Sequence, residues 1–177
     1  MAKELRKMKK FRFQLLHEWI VQHFIPCRVA DIGGGKGLLT YLLNQSGFHS
    51  TVIDPYPQPL PTQYKDLHKE RHKISPPFSV PSIDSHFEKT MTQDFDLLVG
   101  LHAHGSNMKI IEVAAENNTD FLLMPCCVID EPIRPRPNIN WLDSLEEYAK
   151  KLGVTTERFA LNFRGQNIGF YTRVGGT

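Results

Sequence analysis

The sequence lacks the features that usually mark secreted, membrane-spanning and disulfide-stabilised proteins. Its 177 residues include only three cysteines, at positions 27, 126 and 127, and their spacing shows no disulfide framework. No stretch approaches the roughly 18 consecutive apolar residues of a membrane span. Charged residues also stand near the N-terminus, where a signal peptide has its apolar core. These absences predict a reducing, cytoplasmic setting and no membrane partner.

A large excess of charge of either sign is also missing. Lysine and arginine number 21 against 19 acidic residues, so the formal net charge is only +2. A mildly basic chain is compatible with an RNA substrate, but it does not by itself indicate one, and no DNA specificity is evident. Nothing in the composition indicates an oligomeric state.

The length is that of one domain. With 41% apolar residues, the chain can bury a proper core, and 177 residues lie within the usual size of a single unit. We therefore expect one domain over residues 1–177, in which an N-terminal helix within residues 1–26 packs on or beside the core. No separate target-recognition domain is expected.

Glycine, in contrast, is concentrated in one short segment. Residues 28–37 read Arg-Val-Ala-Asp-Ile-Gly-Gly-Gly-Lys-Gly, an apolar strand that leads through an acid into a glycine loop. Glycine is used where the backbone takes a positive φ or approaches a ligand closely, so this loop indicates a ligand held against bare main chain. A tight strand-to-helix turn without a ligand is the alternative.

Two nucleotide-binding fingerprints fail in this loop. A Walker loop requires serine or threonine after its Gly-Lys pair, whereas Gly35-Lys36 is followed by Gly37. The dinucleotide fingerprint GxGxxG also fails from either starting glycine. From Gly33 it requires glycine at position 38, which is Leu38, and from Gly35 it requires glycine or alanine at position 40, which is Thr40.

The spacing DxGxGxG does fit, as Asp31, Gly33, Gly35 and Gly37. It resembles motif I of the class I S-adenosylmethionine-dependent methyltransferases. The resemblance implies that the acid lies near the amino-acid part of the cofactor. It also implies that the glycines, including Gly34, let the methionine and the ribose of S-adenosyl-L-methionine pack on the loop.

A second acid supports this interpretation. Residues 49–54 read His-Ser-Thr-Val-Ile-Asp, a short apolar strand that ends in a carboxylate. An acid about 20 residues beyond a glycine loop, at the end of the next strand, is where folds of this type bind ribose hydroxyls. The resemblance therefore implies that Asp54 binds the ribose of the cofactor. A plain turn before Pro55 is the alternative explanation of this acid.

Strands and helices alternate along the chain, which predicts an α/β fold. The segment 55–85 holds seven prolines and is the least regular, with a short helix expected at 63–73 and a weak strand at 78–80. Elsewhere the hydrophobic periodicity, the helix-capping residues and the proline and glycine breakers give clearer predictions. They predict helices at 4–24, 36–45, 108–116 and 140–152. They predict strands at 28–32, 50–54, 96–100, 121–129, 158–163 and 168–174. We expect a Rossmann-like class I methyltransferase fold: a mostly parallel seven-stranded sheet with an antiparallel C-terminal hairpin and helices on both faces.

Two further segments follow predicted strands. They read Gly-Leu-His-Ala-His-Gly at 100–105 and Met-Pro-Cys-Cys-Val at 124–128. Both resemble a methyltransferase subgroup with a leucine-histidine-x-x-glycine motif and a double cysteine, as in the eukaryotic tRNA ribose methyltransferase of the acceptor stem and the methyltransferase-like 25 proteins. The resemblance covers about residues 28–130, and it adds Gly100 and Leu101 to the expected cofactor-binding residues. His104 departs from it, because the subgroup usually has cysteine there, and this departure leaves the substrate open.

Two histidines are the candidate catalytic residues. A hydroxyl nucleophile is weak at neutral pH and benefits from a base, and His102 follows the strand end beside the expected methyl site. We therefore predict that His102 acts as base or orients the substrate, with His104 as the second choice. Hydrogen bonding of either ring to the following loop is an equally good explanation. The sequence has no Asn-Pro-Pro-Tyr motif of adenine methylation, and no lysine-aspartate-lysine-glutamate set of the commonest ribose mechanism can be assigned.

The sequence does not favour a zinc site. His102, His104, Cys126 and Cys127 are suitable ligand types on neighbouring strands. However, successive strand residues point to opposite faces, so the two cysteines should not reach one metal, and no CxxC spacing occurs. We expect no metal, and a stoichiometric ion in the purified protein would overturn this expectation.

Basic residues could contact RNA phosphates, although a solvated surface is the more frequent explanation. They are Lys3, Arg6, Lys7, Lys9, Lys10, Arg12, Arg134 and Arg136.

The leading hypothesis for the function is an S-adenosylmethionine-dependent methyltransferase, with RNA as a candidate acceptor. The competing hypothesis is a non-catalytic, methyltransferase-like module that binds cofactor or RNA and supports a partner.

Overall fold

A seven-stranded sheet with helices on both sides forms the centre of the computed structural model, which describes residues 6–135 and 137–172. The helices are α1 (Arg12–His23), α2 (Leu38–Gln45), α3 (Asn107–Asn117) and α4 (Trp141–Lys151). The strands are β1 (Arg28–Ile32), β2 (His49–Ile53), β3 (Gln63–Lys65), β4 (Arg71–Lys73), β5 (Ser82–Ile83), β6 (Leu97–Leu101), β7 (Asp120–Met124), β8 (Glu157–Ala160) and β9 (Ile168–Thr172).

The strand order confirms the predicted fold class. It is β5-β2-β1-β6-β7-β9-β8, with β3 and β4 forming a separate antiparallel pair. The strands from β5 to β7 pair in parallel, and β9 runs antiparallel to both of its neighbours, β7 and β8. This is the mostly parallel sheet with an antiparallel C-terminal hairpin that the sequence predicts.

The sheet is buried on both faces because successive strand residues alternate between two cores. Leu98 of β6 and Phe121 of β7 pack with residues of α3 and α4. Leu97 and Val99 pack on the other side, with α1, α2 and part of the hairpin. Since all five residues of β6 are buried, the strand is apolar throughout rather than alternating, and the sequence signal for it was strong.

Most element boundaries agree with the prediction to within one or two residues. Strand β1 has the predicted limits, and α3 differs from the prediction by one residue at each end. The side chain of Asn140 accepts the Asp143 N–H at 2.9 Å, which caps α4 as expected. Gly153, with φ of +80°, follows its last turn. The predicted end of the last strand, at 173–174, lies outside the described residues.

The start of the first helix is a correction. Helix α1 begins at Arg12 rather than at residue 4, and a short 3₁₀ turn at Lys9–Phe11 precedes it. Lys7 instead pairs with the C-terminal hairpin, since its N–H donates to the Asn162 carbonyl and its carbonyl accepts from the Arg164 N–H, both at 3.0 Å. This long-range pairing fixes the segment in an extended conformation. Residues 1–5 lie outside the described residues.

The irregular segment after β2 contains the largest correction. The predicted helix at 63–73 is wrong, because these residues form the β3–β4 hairpin. Its turn is fixed by Asp66, whose Oδ1 accepts the N–H groups of His68 and Glu70 at 2.9 Å each. An aspartate that binds its own downstream backbone favours a turn over a helix. The weak strand expected at 78–80 is also wrong, because these residues are irregular and the strand of this segment, β5, is Ser82–Ile83.

Strand β7 is shorter than predicted. It ends at Met124 instead of residue 129, because Pro125 has no N–H to continue the ladder. The two cysteines that follow therefore lie in a loop. Within the part of the chain that the structure describes, no helix has the length and apolar character needed to cross a membrane.

Candidate active site

The loops that follow β1, β2, β5 and β6 meet at the carboxyl edge of the sheet and enclose a cleft of about 230 Å³. Ligands of open α/β sheets bind at this edge. The glycine loop contributes Gly33, the turn after β2 contributes Asp54, and the segment after β6 contributes residues 102–104. The structure thus brings together the glycine loop, the second acid and both candidate histidines.

Packing and backbone geometry explain most of the loop glycines. Gly33 and Gly37 have φ of +69° and +74°, which favours glycine at both positions. A Cβ on Gly34 would lie 2.7 Å from the Asp31 carboxyl carbon, and one on Gly37 would lie 2.6 Å from Val80 Cγ2. These glycines hold the loop close against β1 and the segment before β5.

Gly35 differs from the other loop glycines. Its φ is +56°, but a Cβ built there would meet no atom within 4 Å, so its face of the loop is open. Its N–H donates to Asp54 Oδ2 at 2.9 Å, and Asp54 Oδ1 accepts the Tyr56 N–H at 2.8 Å. The backbone therefore aims the half-buried carboxylate of Asp54 along the open side of the loop.

Asp31 lies beneath the loop rather than on its surface. Its side chain is 2% exposed, and Thr40 Oγ1 donates to Asp31 Oδ2 at 2.9 Å. Burial raises the pKa of Asp31 to about 6, and the charge of Asp54 adds to this shift, while the Thr40 hydrogen bond opposes it. The buried carboxyl supports the glycine loop through Thr40 and the close approach of Gly34.

This shift predicts a pH-dependent stability of the cofactor-free protein. The folded pKa of about 6 lies above the unfolded value of ~3.9, so folding favours protonated Asp31. That contribution is complete below the unfolded pKa and is lost as pH rises through the folded pKa. Relative to Asp31→Asn, we expect the wild type to lose on the order of 2–3 kcal/mol of unfolding free energy between about pH 4 and 7. Urea unfolding of both proteins across this range measures the difference, and parallel stability curves would contradict it.

Gly100 and Leu101 lie in the core. A Cβ on Gly100 would stand 2.7 Å from Leu123 Cδ2 and 3.1 Å from Ile110 Cδ1, so this glycine allows α3 to pack closely on the sheet. Leu101 is 7% exposed and belongs to the core on the α1 and α2 side. Packing explains both residues, and their contact with a cofactor stays a prediction.

His102 follows β6 directly and lines the cleft. Its φ of +56° is uncommon for a residue with a side chain, although histidine tolerates it better than most. Its Nε2 lies 3.2 Å from the Gln166 carbonyl oxygen. A carbonyl only accepts, so this ring nitrogen carries the proton and Nδ1 keeps its lone pair. Burial, together with nearby positive charges, lowers the pKa of His102 to about 4, and the ring is therefore neutral at pH 7.

His104 is exposed, and it lines the cleft with His102 while its ring lies beside the two cysteines. Its Nε2 is 3.2 Å from Cys126 Sγ, and the Sγ atoms of Cys126 and Cys127 are 3.4 Å apart. The expectation that these thiols point to opposite faces is wrong, because β7 ends at Met124 and strand alternation does not apply to the loop. Burial and the neighbouring thiol raise the pKa of Cys126 to about 11.

Two contacts hold the loops after β6 and β7 together. Glu131 caps the start of α3, where its Oε1 accepts the N–H of Asn107 at 2.8 Å and its Oε2 accepts that of Met108 at 3.3 Å. Gly105 packs against Asp130, which leaves only 3.0 Å between a built Cβ and that side chain. The relative position of the two loops is thus fixed by contacts outside the histidine and cysteine side chains.

Sequence reasoning missed two residues of the cleft, His86 and Phe87, which line it beside Asp54. They follow β5, which has only two residues, and come after the proline-rich segment. A strand this short gives no periodic signal, so only the folded chain shows that these residues reach the site.

Part of the basic N-terminal segment lies near the cleft. The exposed Lys9 side chain runs beside the hairpin turn, with its Cδ 3.9 Å from the position of a Cβ on Gly165. The carbonyl of Gln166, the next residue of that turn, accepts from His102 Nε2, so Lys9 and His102 lie against neighbouring residues, and the charges of Lys9 and Arg12 help to lower the pKa of His102. Arg134 is exposed in the loop after β7, whereas Lys3 and Arg136 lie outside the described residues.

Several solved structures have a fold similar to that of this chain. A Pyrococcus horikoshii protein aligns over 91% of this chain and 87% of its own, with a TM-score of 0.54 and 15% identity. The ribosomal protein L11 methylase of Lactobacillus delbrueckii subsp. bulgaricus gives 0.53 at 13% identity, over 91% of this chain and 77% of its own. Human N-acetylserotonin methyltransferase, solved in complex with SAM, aligns over 95% of this chain and 52% of its own, with a TM-score of 0.54 and 11% identity. These likenesses establish the class I methyltransferase fold.

Sequence relatives carry a more specific name. Proteins named probable tRNA (uracil-O(2)-)-methyltransferase, from Caenorhabditis elegans and Caenorhabditis briggsae, are 35% and 32% identical over 103 residues, which is 58% of this chain. The match spans 17% of each relative, about one sixth of its length. No protein-family model matches the chain. The fold is thus that of class I methyltransferases, and the sequence relatives are named as tRNA methyltransferases.

Proposed function

We propose that this chain is an S-adenosyl-L-methionine-dependent methyltransferase that acts on RNA. The observation that carries the cofactor assignment is the pairing of Gly35 with Asp54 across the open face of the glycine loop. When bound, the cofactor supplies a methyl group on a sulfonium, which is transferred to a nucleophile by displacement. The chain's own contribution is to bind the two reactants and align them.

The residues present fit the ribose and methionine parts of the cofactor. Each oxygen of Asp54 accepts one backbone N–H, and a carboxylate has about four lone-pair directions in all. One further hydrogen bond at each oxygen is therefore available to the two ribose hydroxyls. The open face of Gly35 lets the ligand lie directly on the main chain. Asp31 supports this loop from below.

We propose that His102 either accepts the proton of the nucleophile or orients the substrate. It lines the same cleft as Gly33 and Asp54, and its uncommon backbone conformation is of the kind that clusters at functional sites. His104 follows in the cleft lining, but its ring contacts Cys126. We therefore keep His102 as the first candidate and assign His104 no part in proton transfer.

RNA is the proposed methyl acceptor on two grounds. The relatives that match this chain are named as tRNA methyltransferases, and the side of the molecule near His102 carries the charges of Lys9 and Arg12. Cationic side chains next to the reacting group would hold the phosphates that flank the methylated nucleotide.

This arrangement predicts a salt-dependent RNA affinity that depends on Lys9 and Arg12. Each neutralised phosphate contributes a slope of about −0.7 to log K against log salt for a single strand. We expect Lys9→Ala with Arg12→Ala to weaken binding and to make the slope shallower by about 1.4. Filter binding of tRNA at several salt concentrations measures both quantities. Lys150→Ala with Lys151→Ala, at the exposed end of α4, is the matched control, and a flat salt response of the wild type would refute the phosphate contacts.

Two measurements test the function itself. Calorimetry with S-adenosyl-L-methionine and with S-adenosylhomocysteine tests the cofactor site, and failure to bind either would defeat the proposal at its first step. Labelled methyl transfer into separated RNA, protein and small-molecule fractions then identifies the acceptor. Cofactor binding without transfer to any fraction would favour the non-catalytic, methyltransferase-like module.

Domain organisation and location belong to the proposal as well. We propose that residues 1–177 act as one methyltransferase domain with α1 as part of its core, supported by the burial of Leu16 and Ile20 against the sheet. We also propose a cytoplasmic location, with which the free thiols of Cys27, Cys126 and Cys127 are compatible.

A further inference from the structure

A cluster of metal-ligand side chains lies next to the cofactor cleft and plays no part in the function proposed above. It consists of His104, Cys126 and Cys127, each of which offers a ligand atom within 4.8 Å of the others. We propose that this cluster binds one zinc-class divalent ion, a soft cation that prefers thiolate and imidazole ligands.

The distances between the ligand atoms are close to those of a tetrahedral site. With metal bonds of about 2.3 Å to sulfur and about 2.0–2.1 Å to nitrogen, neighbouring ligand atoms stand roughly 3.5–3.8 Å apart. Two of the observed separations are 3.2 Å, from His104 Nε2 to Cys126 Sγ, and 3.4 Å, between the two Sγ atoms, and the third, from His104 Nε2 to Cys127 Sγ, is within 4.8 Å. Small rotations of the three side chains would bring their ligand atoms to these separations.

The backbone already holds the ligands near one another. Glu131 joins the loop after β7 to the start of α3, and Gly105 packs on Asp130. These contacts lie on the chain just beyond the ligands and contain none of the three side chains. The site is therefore prepared by the fold, and ion binding has to order little additional backbone, which lowers its entropic cost.

Three protein ligands leave a fourth position open. His104 borders the cofactor cleft, whereas Cys126 lines a neighbouring cleft with Trp141 and Gln166, so an ion between them faces solvent on the cleft side. The ion would join the loop after β6 to the loop after β7, two residues from His102. Its role is thus positional: it fixes the loop that carries His102.

A chain of thiol and imidazole hydrogen bonds is the simplest competing explanation, and a disulfide between the adjacent cysteines is another. Both predict a protein without a stoichiometric metal. The disulfide additionally predicts the loss of two titratable thiols under non-reducing conditions. These explanations are separate from the question of cofactor binding.

The test is the metal content of the purified chain and its affinity for zinc. We expect one zinc per chain after dialysis against zinc and removal of the excess, measured by mass spectrometry of the metal. Cys126→Ser, Cys127→Ser and His104→Asn should each weaken zinc binding at least about 100-fold in competition with a chelating dye, since even loss of an outer partner costs 10–100-fold.

Matched controls distinguish this site from other donors in the chain. Cys27→Ser removes the remaining cysteine, which lies just before β1 at the opposite edge of the sheet, and should leave zinc binding unchanged. Among the described residues, Asp66, Glu70 and His72 form another group of possible ligands, and Asp66→Asn should also leave it unchanged. If either control removes the zinc, the proposed site is wrong.

Cobalt gives a readout that does not depend on activity or on the stability of any one variant. Co²⁺ titrated into the wild-type chain should give the visible bands of a four-coordinate site and a thiolate-to-cobalt charge-transfer band, and both should disappear in the double variant Cys126→Ser with Cys127→Ser. Circular dichroism shows whether that variant is folded. A wild-type chain that holds no stoichiometric zinc and gives no thiolate band overturns the proposal, whether or not it binds S-adenosyl-L-methionine.

Discussion

Gly35→Arg is expected to abolish the binding of S-adenosyl-L-methionine and to leave the fold largely intact. A Cβ at this position meets no protein atom within 4 Å, so the arginine side chain enters the space that we assign to the cofactor. The N–H bonded to Asp54 is retained. The cost to the fold is the strain of a non-glycine residue at φ of +56°, on the order of 1 kcal/mol. Calorimetry measures the binding, and thermal unfolding measures the stability.

Gly153→Arg provides a closely matched control. This glycine also has a positive φ, +80°, and open space around its Cβ direction, but it lies after the end of α4, away from the cleft. The same strain and the same added charge should therefore leave cofactor affinity unchanged. Retention of wild-type affinity by Gly35→Arg would show that the ligand does not lie on the glycine loop.

His102→Asn is expected to lower the rate of methyl transfer by about 10²–10⁴-fold, the usual contribution of a positioned acid or base. Asparagine is one of the residues that accept a left-handed backbone conformation, so the loop at φ of +56° should stay in place. Because Gly35 and Asp54 are untouched, the affinity for the cofactor should change by no more than a few-fold. Steady-state transfer of labelled methyl to the RNA fraction measures the rate, and calorimetry measures the affinity.

His49→Asn is the control for this prediction. His49 is exposed at the first residue of β2, and in a parallel strand that end lies opposite to the carboxyl edge where the cleft is formed. The His49→Asn variant should therefore transfer methyl groups at the wild-type rate. A rate within a few-fold of wild type for His102→Asn would leave only a structural role for this ring, through its hydrogen bond to Gln166.

The places of the glycine loop and of Asp54 in the fold could be predicted because their signals are local in sequence. The glycine loop, the acid that precedes it and Asp54 depend on neighbouring positions, on φ preferences and on the end of a strand. The structure adds the reasons for the individual glycines. Gly34 and Gly37 are required by close packing, whereas Gly35 is the loop position at which a ligand has room.

The histidine and cysteine side of the site could not be predicted in the same way. Both motifs are visible in the sequence, but their relation depends on where β7 ends. A strand through residue 129 would separate the Cys126 and Cys127 side chains, and a strand that ends at Met124 lets them converge on His104. The position of the strand end depends on Pro125 and on the pairing with β9. The last residue of β7 that pairs with β9 is Leu123, one residue before the strand ends.

Sequence alone therefore determined the fold class, the glycine loop and the acid Asp54, because each is encoded in short segments whose periodicity, glycine content and breakers act locally. Tertiary structure decided the rest: the extended pairing of Lys7 with the hairpin, the hairpin at residues 63–73, the arrival of His86 and Phe87 at the cleft, and the convergence of His104 with two cysteines. The physical reason is the same in each case. These features depend on contacts between segments far apart in the chain, and such contacts override the weak local preferences of the residues that make them.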